Sequence, residues 1–215
     1  MRIAVTGASG FVGSWLVREL IRHGHIVTAA DAELNLLDEG AVEAWLKASR
    51  AQMVYHLAAQ VGRLFGEEDL VRTVRTNAEM TTVLAHHCGQ TGVRLVYVSS
   101  SEVYGDQGTK TCDEYEGPFG LPHNLYGLSK RWGEEAARLY APDRLVIARL
   151  SMPYGPGVPP GRGRRAMDTM LWQAHPLWQT QTSFGCTQSP SSCQSKRGAE
   201  STRLWADRLC RWCKS

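Results

Sequence analysis

Short apolar runs rich in β-branched residues alternate with longer segments of helical period over the first 150 residues of the chain. Five such runs predict strands, at residues 2–6, 26–30, 53–57, 95–99 and 145–148. Between them, apolar residues recur at a spacing of four, as Val12, Leu16 and Leu20 do, which is typical of a helix face that packs on a sheet. The alternation predicts a doubly wound α/β fold, a parallel sheet with helices on both faces.

The apolar pattern stops near residue 160. Twenty valine and isoleucine residues lie in residues 1–158, and none lies in residues 159–215. Because sheet cores are built largely from such side chains, we expect the sheet domain to end at residue 158. Residues 159–175 should begin a second, incomplete domain with one helix over 164–175, and we expect residues 176–215 to be an atypical, poorly ordered tail.

The net charge of +3 comes from the last part of the chain, because residues 1–158 carry a balance of −3 and residues 159–215 one of +6. No basic face with interleaved aromatic residues appears, so we expect no nucleic-acid partner. No apolar run approaches the roughly 20 residues that span a bilayer, and the first residues resemble a strand rather than a signal peptide. We therefore expect a cytoplasmic protein without membrane association, whose six cysteines are thiols.

Four of the six cysteines lie in the tail, at positions 186, 193, 210 and 213. Four thiolates can hold a structural zinc ion, but this spacing is only half right for a zinc ribbon and no histidine lies nearby. We therefore predict no metal site. The preferred interpretation is that the tail is a shifted reading frame or an aberrant splice product, because out-of-frame translation would lose the apolar pattern abruptly.

A glycine-rich turn, TGASGFVG at residues 6–13, follows the first predicted strand and precedes the first predicted helix. Gly7 permits a tight turn, Gly10 lets the backbone approach a pyrophosphate, and Gly13 lets the helix pack closely on the strand. Asp31 closes the second strand, where a carboxylate bonds ribose hydroxyls and repels a 2′-phosphate. The pattern predicts an NAD site rather than an NADP site, with phosphates at the helix N-terminus. The expected contacts are Gly7, Ser9, Gly10, Phe11, Val12, Gly13 and Asp31.

Five motifs occur in a recognisable order: TGASGFVG, HLAAQ at 56–60, SSSEVYG at 99–105, YGLSK at 126–130 and RLSMPYGPG at 149–157. Residues 1 to about 175 thereby resemble the extended short-chain dehydrogenase/reductase superfamily, specifically its NAD-dependent nucleotide-sugar epimerase/dehydratase family. The resemblance implies a Rossmann-like NAD-binding domain over residues 1–158 and a nucleotide-sugar substrate. It also implies a substrate domain, incomplete here, that begins at 159–175, and a homodimer that packs helices near 68–88 and 126–140.

Tyr126 and Lys130 are four residues apart, which places them on one face of a helix. Chance produces such a pair easily, so the weight comes from a serine cluster at 99–101, at the end of the fourth predicted strand. A tyrosine with a pKa of about 10 is a poor base at neutral pH. We therefore expect the Lys130 ammonium, with a positive nicotinamide ring, to lower the pKa of Tyr126. Tyr126 is then the predicted base for a sugar hydroxyl while hydride leaves for NAD.

The resemblance implies further roles. It implies that Ser100 bonds the substrate hydroxyl, that Lys130 bonds the nicotinamide ribose, and that Asn77 is the structural asparagine of the active site. The other expected cofactor contacts are Leu57, Ala58, Ala59, Asn77, Ser99, Tyr126 and Lys130. Two positions depart from the family pattern: Met152 replaces an asparagine that contacts substrate phosphates, and Asn35 replaces an aspartate that often contacts adenine.

Glu102 bears on the type of reaction. By the same resemblance, 4,6-dehydratases and uronic-acid decarboxylases commonly carry a glutamate here and simple 4-epimerases generally lack it. Glu102 is thus either a base beside a transient 4-keto group or a solvated loop acid. The expected activity is oxidation at sugar C4 followed by epimerisation or dehydration. Two alternatives are an NAD(P) sensor without activity, against which the retained Ser100, Tyr126 and Lys130 argue, and an inactive remnant.

Overall fold

The computed structural model describes residues 1–108, 120–151 and 153, and five parallel strands within them form one sheet. The strands are β1 (Arg2–Thr6), β2 (Ile26–Ala30), β3 (Met53–His56), β4 (Arg94–Ser100) and β5 (Leu145–Leu150), in the order β2-β1-β3-β4-β5. All five predicted strands are confirmed, with ends that differ by one or two residues at most.

Helices connect the strands in the described part of the chain. They are α1 (Phe11–Arg22), α2 (Glu39–Ser49), α3 (Arg63–Glu68), α4 (Leu70–Val74), α5 (Met80–Thr91) and α6 (Leu125–Tyr140). A π-helical turn, Arg75–Glu79, joins α4 to α5, and 3₁₀ turns cover Ser101–Tyr104 and Pro142–Arg144. None of the described helices has the length and apolarity to cross a membrane. The helix predicted over 164–175 and the parts predicted for 159–215 lie outside the described residues.

Two cores form on the two faces of the sheet. On one face, Leu16 and Leu20 of α1 pack against the side chains of β1, β3 and β4. On the other face, α2, α5 and α6 contribute Val42, Leu84 and Ala137. These five side chains expose 1% of their surface or less, and burial of each large apolar side chain contributes about 1.5–3 kcal/mol. Helices on both faces confirm the doubly wound α/β fold.

The strand order places a switch point between β1 and β3, because the chain passes from β1 to β2 on one side and then returns to β3 on the other. Ligands of such sheets bind at the carboxyl ends of the strands beside this point. The turn after β1 and the segment after β3 touch there, since a Cβ atom on Gly7 would lie 2.6 Å from the backbone nitrogen of Ala58. The fold thus brings the glycine turn to the place where a ligand is expected.

Candidate active site

The glycine turn has the shape of a phosphate cradle. Gly7 has a φ of +70°, and a Cβ atom on Gly13 would lie 2.1 Å from the carbonyl oxygen of Gly7, so both positions require glycine. Gly10 is the N-cap of α1, and no side chain caps the first N–H groups of that helix. A helix start with this geometry suits a pyrophosphate, because its N–H groups and its dipole favour an anion.

Asp31 lies directly after β2 and faces the same turn. Both of its carboxylate oxygens accept the backbone N–H of Ser9, each at 3.0 Å. The carboxylate is half-buried, and its oxygens retain lone pairs for further donors such as ribose hydroxyls. The Asp31 carboxylate, which can accept ribose hydroxyls, and the N–H groups of the glycine turn, which can bind phosphates, together fit an adenine dinucleotide.

The carboxyl edge of the sheet carries the predicted site residues. The turn after β1 and the start of α1 hold Gly7, Ser9, Gly10, Phe11, Val12 and Gly13. The segment after β3 holds Leu57, Ala58 and Ala59, and β4 ends with Ser99 and Ser100. The 3₁₀ turn after β4 holds Glu102, and α6 holds Tyr126 and Lys130. Met152 lies outside the described residues. The structure therefore gathers candidates from four strand ends and one helix.

Side chains from two other segments hold the start of α6. Asn124 is its N-cap, and Oδ1 of Asn124 accepts the N–H of Gly127 at 2.8 Å. Nδ2 of Asn124 donates to a carboxylate oxygen of Glu102, while Glu67 accepts the N–H of Leu125 at 3.0 Å. These bonds fix Glu102 beside the first turn of the helix that carries the candidate base. Glu102 is half-buried and bonded to Asn124, and its role as a base stays a prediction.

The acidity of Tyr126 in the protein alone differs from the lowered pKa expected with a bound cofactor. Burial raises the pKa of Tyr126 to about 12, the nearby Ser100 hydroxyl acts to lower it, and the Glu102 carboxylate acts to raise it. Desolvation of the phenolate outweighs the favourable contact with Ser100. The lowering expected from Lys130 together with a nicotinamide ring stays a prediction.

Lys130 is almost fully buried, with 2% of its surface exposed. Its Nζ lies 4.3 Å from the ring centroid of Tyr97, a cation–π contact, and the Tyr97 hydroxyl donates to the carbonyl oxygen of Lys130 at 3.3 Å. Burial lowers the pKa of Lys130 to about 7, and the charge of Glu134 opposes this shift. The predicted contact of Lys130 with the nicotinamide ribose stays a prediction.

His56 lies at the centre of a buried chain of hydrogen bonds. Thr81 Oγ1 donates to the carbonyl oxygen of Asn77 at 2.7 Å, so it accepts from His56 Nε2 at 3.0 Å. Burial, and then the charge of Lys130, lower the pKa of His56 to about 3, so the ring is neutral. Its Nδ1 therefore accepts from Thr6 Oγ1 at 2.7 Å. These partners fix one tautomer and leave His56 without acid–base capacity at neutral pH.

Asn77 lies in the π-helical turn and is fully buried. Its Oδ1 accepts the N–H of Gln60 at 2.8 Å, and its Nδ2 donates to the Gln60 carbonyl and to Ser129 Oγ, each at 3.0 Å. Ser129 in turn donates to the carbonyl oxygen of Tyr126 at 2.8 Å. The carboxamide thus ties the segment after β3 to α6. These bonds are those expected of a structural asparagine, and the predicted contact of Asn77 with the cofactor stays a prediction.

Sequence reasoning missed a charged cluster beneath the lysine. Glu134 Oε1 and Oε2 accept from Nε and an Nη of Arg149 at 2.8 and 2.6 Å, and Glu134 is fully buried. Next to it, a Cβ atom on Gly133 would lie 2.3 Å from the hydroxyl oxygen of Tyr97 and 3.1 Å from the carbonyl oxygen of Asn77. One signal for the glutamate was available, because Glu134 follows Lys130 by four residues and so shares its helix face.

The fold and the site define a dinucleotide-binding α/β protein of the dehydrogenase/reductase type. Comparison with known families narrows this class: the NAD dependent epimerase/dehydratase family matches residues 3–185, and the chain belongs to that family. The match confirms the resemblance drawn from the five motifs and extends somewhat beyond residue 175. It also confirms that a nicotinamide cofactor is the group to expect here.

Individual relatives span several reactions. The chain is 33% identical over 159 residues to a dTDP-4-dehydrorhamnose reductase of Streptomyces griseus, covering 74% of this chain and 52% of the relative. It is 30% identical over 192 residues to UDP-glucuronic acid decarboxylase 1 of Xenopus tropicalis, covering 79% and 45%. Among solved structures, UDP-glucose 4-epimerase of Thermus thermophilus in complex with NAD gives a TM-score of 0.71 at 27% identity, covering 80% of this chain and 61% of that one.

In all three comparisons the match covers a larger share of this chain than of the other protein. The chain spans about half the length of the curated relatives it matches, 52% in the first and 45% in the second. The family model matches residues 3–185, which contain nearly all of the sheet and the site at its carboxyl edge. Membership of the NAD dependent epimerase/dehydratase family is therefore established for this region.

Proposed function

We propose that the chain binds NAD and acts on a nucleotide sugar by transient oxidation at sugar C4, as an epimerase or dehydratase. The observation that carries the proposal is the placement of Ser100, at the end of β4, close enough to Tyr126 on α6 for its hydroxyl to act on the phenol. The relatives support the substrate class, because the reductase, the decarboxylase and the epimerase are all named for nucleotide sugars.

The proposed chemistry assigns one task to each side chain. When bound, NAD supplies the acceptor for the hydride and later returns it. Tyr126 removes the proton of the C4 hydroxyl as the C4–H electron pair departs, so a ketone forms and the proton rests on the phenol oxygen. Ser100 holds the substrate oxygen beside the phenol, and the cation of Lys130 stabilises the phenolate. Epimerisation requires that hydride and proton return to the opposite face of the ketone, because return to the same face would only regenerate the substrate.

Glu102 is the proposed base for the step after oxidation. Its carboxylate acts on the pKa of Tyr126 and is bonded by Asn124, so it is held beside the candidate reaction centre. A base at this place can remove a proton next to the C4 ketone, which elimination requires and simple epimerisation does not. Glu102→Gln should therefore stop release of a product that absorbs as a keto-sugar and leave the reduction of NAD by the sugar in place. Loss of both signals would contradict this role.

The test of the main proposal compares two tyrosines on one helix. Tyr126→Phe should lower turnover about 10²–10⁴-fold and leave NAD affinity nearly unchanged, because only the proton transfer is removed. Tyr140→Phe, at the exposed end of α6, is the matched control and should retain turnover. NAD binding without any sugar binding would favour the inactive remnant, and failure to bind NAD would contradict the proposal.

The choice of cofactor rests on Asp31. A carboxylate fixed by the Ser9 N–H would accept ribose hydroxyls and repel a 2′-phosphate, so we propose that NAD binds more tightly than NADP. Titrations of both dinucleotides against the wild type and Asp31→Ser test this. The preference should shrink in the variant, and an equal preference in both proteins would contradict it.

A second candidate function is reduction of a nucleotide 4-keto-sugar. The observation that favours it is the raised pKa of Tyr126, about 12, because a protonated phenol is the form that donates to a ketone oxygen. One relative is named a dTDP-4-dehydrorhamnose reductase. Oxidation of NADH by a 4-keto-sugar, without reduction of NAD by the hydroxyl sugar, would favour this candidate.

The partner proposal is a homodimer through the long helices. α4 and α6 expose apolar side chains, with Leu70 53%, Val71 71% and Leu139 71% exposed. Burial of such a surface between two copies would be favourable. The molar mass by light scattering tests it, and a monomer at all concentrations would contradict it.

A further inference from the structure

The face of α6 that carries the candidate base continues to a third polar residue. Tyr126, Lys130 and Glu134 follow one another at a spacing of four, so they lie on one face of the helix. The Glu134 side chain is 0% exposed. The mechanism proposed above does not use this carboxylate, although it lies one helical turn from Lys130.

Glu134 is held as an anion by arginines from two elements. Arg149 donates to both carboxylate oxygens, and Arg138, four residues along α6, adds a third contact at 3.2 Å. Burial acts to raise the pKa of Glu134, but the bonds from Arg149 hold it below its usual value. Arg149 pairs in register with Ser99 of β4, so this ion pair fixes α6 to the sheet at the level of the serine cluster.

Several carboxylates lie on the elements that pack against α6. The charged or titratable groups on these elements are Arg63, Glu67 and Glu68 on α3, Arg72 on α4, Arg75 and Glu79 in the π-helical turn, His86, His87 and Cys88 on α5, Arg94 and Tyr97 on β4, Glu102 and Tyr104 in the first 3₁₀ turn, Asp143 and Arg144 in the second, and Arg149 on β5. His56 on β3 also interacts with the charge of Lys130. His56 is neutral, and burial raises the pKa of Tyr97, so neither balances an ammonium. Glu134 is the anion whose charge acts on Lys130.

We propose that Glu134 is a positioning residue of the active site: its buried carboxylate, fixed by Arg149, keeps the ammonium of Lys130 charged, one helical turn from Tyr126. The consequence for catalysis rests on the proposed function. The claim about the charge of Lys130 is independent of the proposed function, because that charge can be measured without turnover. Arg149 contributes indirectly, since it holds the carboxylate that acts on the lysine.

The direct experiment is a pH titration of Lys130 by NMR in the full chain, labelled with ¹⁵N and ¹³C at lysine. Lys130→Met identifies the signal. Glu134→Gln keeps the shape and the acceptor oxygen but removes the charge, and it should lower the titration midpoint by one pH unit or more, a change of about tenfold in the acid dissociation constant. Arg138→Ala removes an exposed partner of the same carboxylate and is the matched control, with a change of less than about twofold expected.

A second variant covers the case in which Glu134→Gln does not fold because Arg149 is left unpaired. In Glu134→Gln with Arg149→Gln, both charges are absent, and the midpoint of Lys130 should still fall because the anion is gone. Circular dichroism decides which variant is folded. An unchanged midpoint in a folded variant would overturn the proposal.

Turnover gives an independent readout of positioning. At pH 7, Glu134→Gln should lower kcat roughly fivefold to tenfold with little change in KM, and the high-pH limb of the profile, where Lys130 loses its proton, should move to lower pH. Glu134→Asp, which keeps the charge, should restore part of kcat. A lowered melting temperature with an unmoved pH profile would show a structural role alone. If no variant or wild type turns over, the proposed function fails while the NMR result still decides the role of Glu134.

Discussion

Two buried polar clusters meet at one aromatic ring, and they are stabilised in opposite ways. The neutral cluster consists of Thr6, His56, Asn77 and Thr81; the charged cluster consists of Lys130, Glu134 and Arg149. The ring of Tyr97 stacks on His56 with centroids 5.8 Å apart and contacts the Lys130 ammonium. Desolvation leaves His56 without a charge, whereas Glu134 keeps its charge because Arg149 supplies two hydrogen bonds.

The contrast between neutral and charged hydrogen bonding shows that the site has two requirements, a fixed geometry and a retained charge. Neutral groups with complete hydrogen bonding hold the segment after β3, the π-helical turn and α6 in one geometry, and they do so without a buried charge. A charge near the candidate base has to be kept in a desolvated place, which needs ion pairs. Four predictions test whether the two clusters really behave differently.

The charged cluster should be the costlier one to break. Glu134→Leu leaves Arg149 as a buried guanidinium without its main partner, and we expect the free energy of unfolding to fall by about 3–5 kcal/mol. Urea denaturation measures this change. Glu135→Leu, on the same helix at a position 59% exposed, is the matched control and should change stability by less than about 0.5 kcal/mol.

Removal of both charges should reverse most of that loss. In Glu134→Leu with Arg149→Met the buried guanidinium is removed together with its carboxylate partner, so most of the lost stability should return. If the single Glu134→Leu variant were as stable as the wild type, the charged cluster would not differ from the neutral one.

The neutral cluster should lose less when one link is removed. Thr81→Val keeps the shape of the side chain but leaves the Nε2–H of His56 without its acceptor, which we expect to cost about 1–3 kcal/mol in urea denaturation. Thr82→Val is the control: Thr82 makes the same kind of bond, to the carbonyl oxygen of Ala78 at 2.8 Å, but lies partly exposed and has no histidine to satisfy. Equal losses in the two variants would show that the buried chain adds nothing.

The two clusters should respond to pH in separate windows. The pKa of His56 is about 3 in the fold and 6.5 in its absence, so its contribution is complete above pH 6.5 and declines below it, by about 1.4 kcal/mol per pH unit at most. The pKa of Lys130 is about 7 against 10.5, so the unfolded chain binds more protons and stability should rise with pH between these values.

Stability curves measured from about pH 4.5 to about pH 10 check this separation, since the range excludes most of the response of ordinary carboxylates and of Tyr126. His56→Gln should flatten the slope below pH 6.5 only, and Lys130→Met the slope above pH 7 only. A single variant that flattened both slopes would mean that the clusters titrate as one unit.

The sheet was predictable from sequence because its central strands, β1, β3 and β4, are buried on both faces and read as runs of apolar residues. The glycine turn was predictable for a local reason, since Gly7 has a positive φ and a Cβ atom on Gly13 would meet atoms of Gly7 and Ala8 in the same strand–helix unit. Tyr126 and Lys130 were identifiable by their spacing, and the structure places Ser100 against the tyrosine as the motif implied.

The acidity and the buried partners of these residues were not predictable in the same way. The pKa of Tyr126 depends on how much protein covers the phenol, and no spacing encodes that burial. The pair between Glu134 and Arg149 joins a helix to a strand, so it exists only once both have packed. The π-helical turn at Asn77 was also invisible, because Val74 and Ala78 keep an ordinary helical spacing across it.

Gly133 has a consequence for how sequence changes in this region would be tolerated. The absent side chain leaves room for Tyr97 on one side and for the carbonyl of Asn77 on the other, so a single methyl group at this position would press on both clusters together. A scan of substitutions would then mark residue 133 as intolerant, although it touches neither substrate nor cofactor. The distance between α6 and the sheet is thus set in part by the absence of a side chain at residue 133.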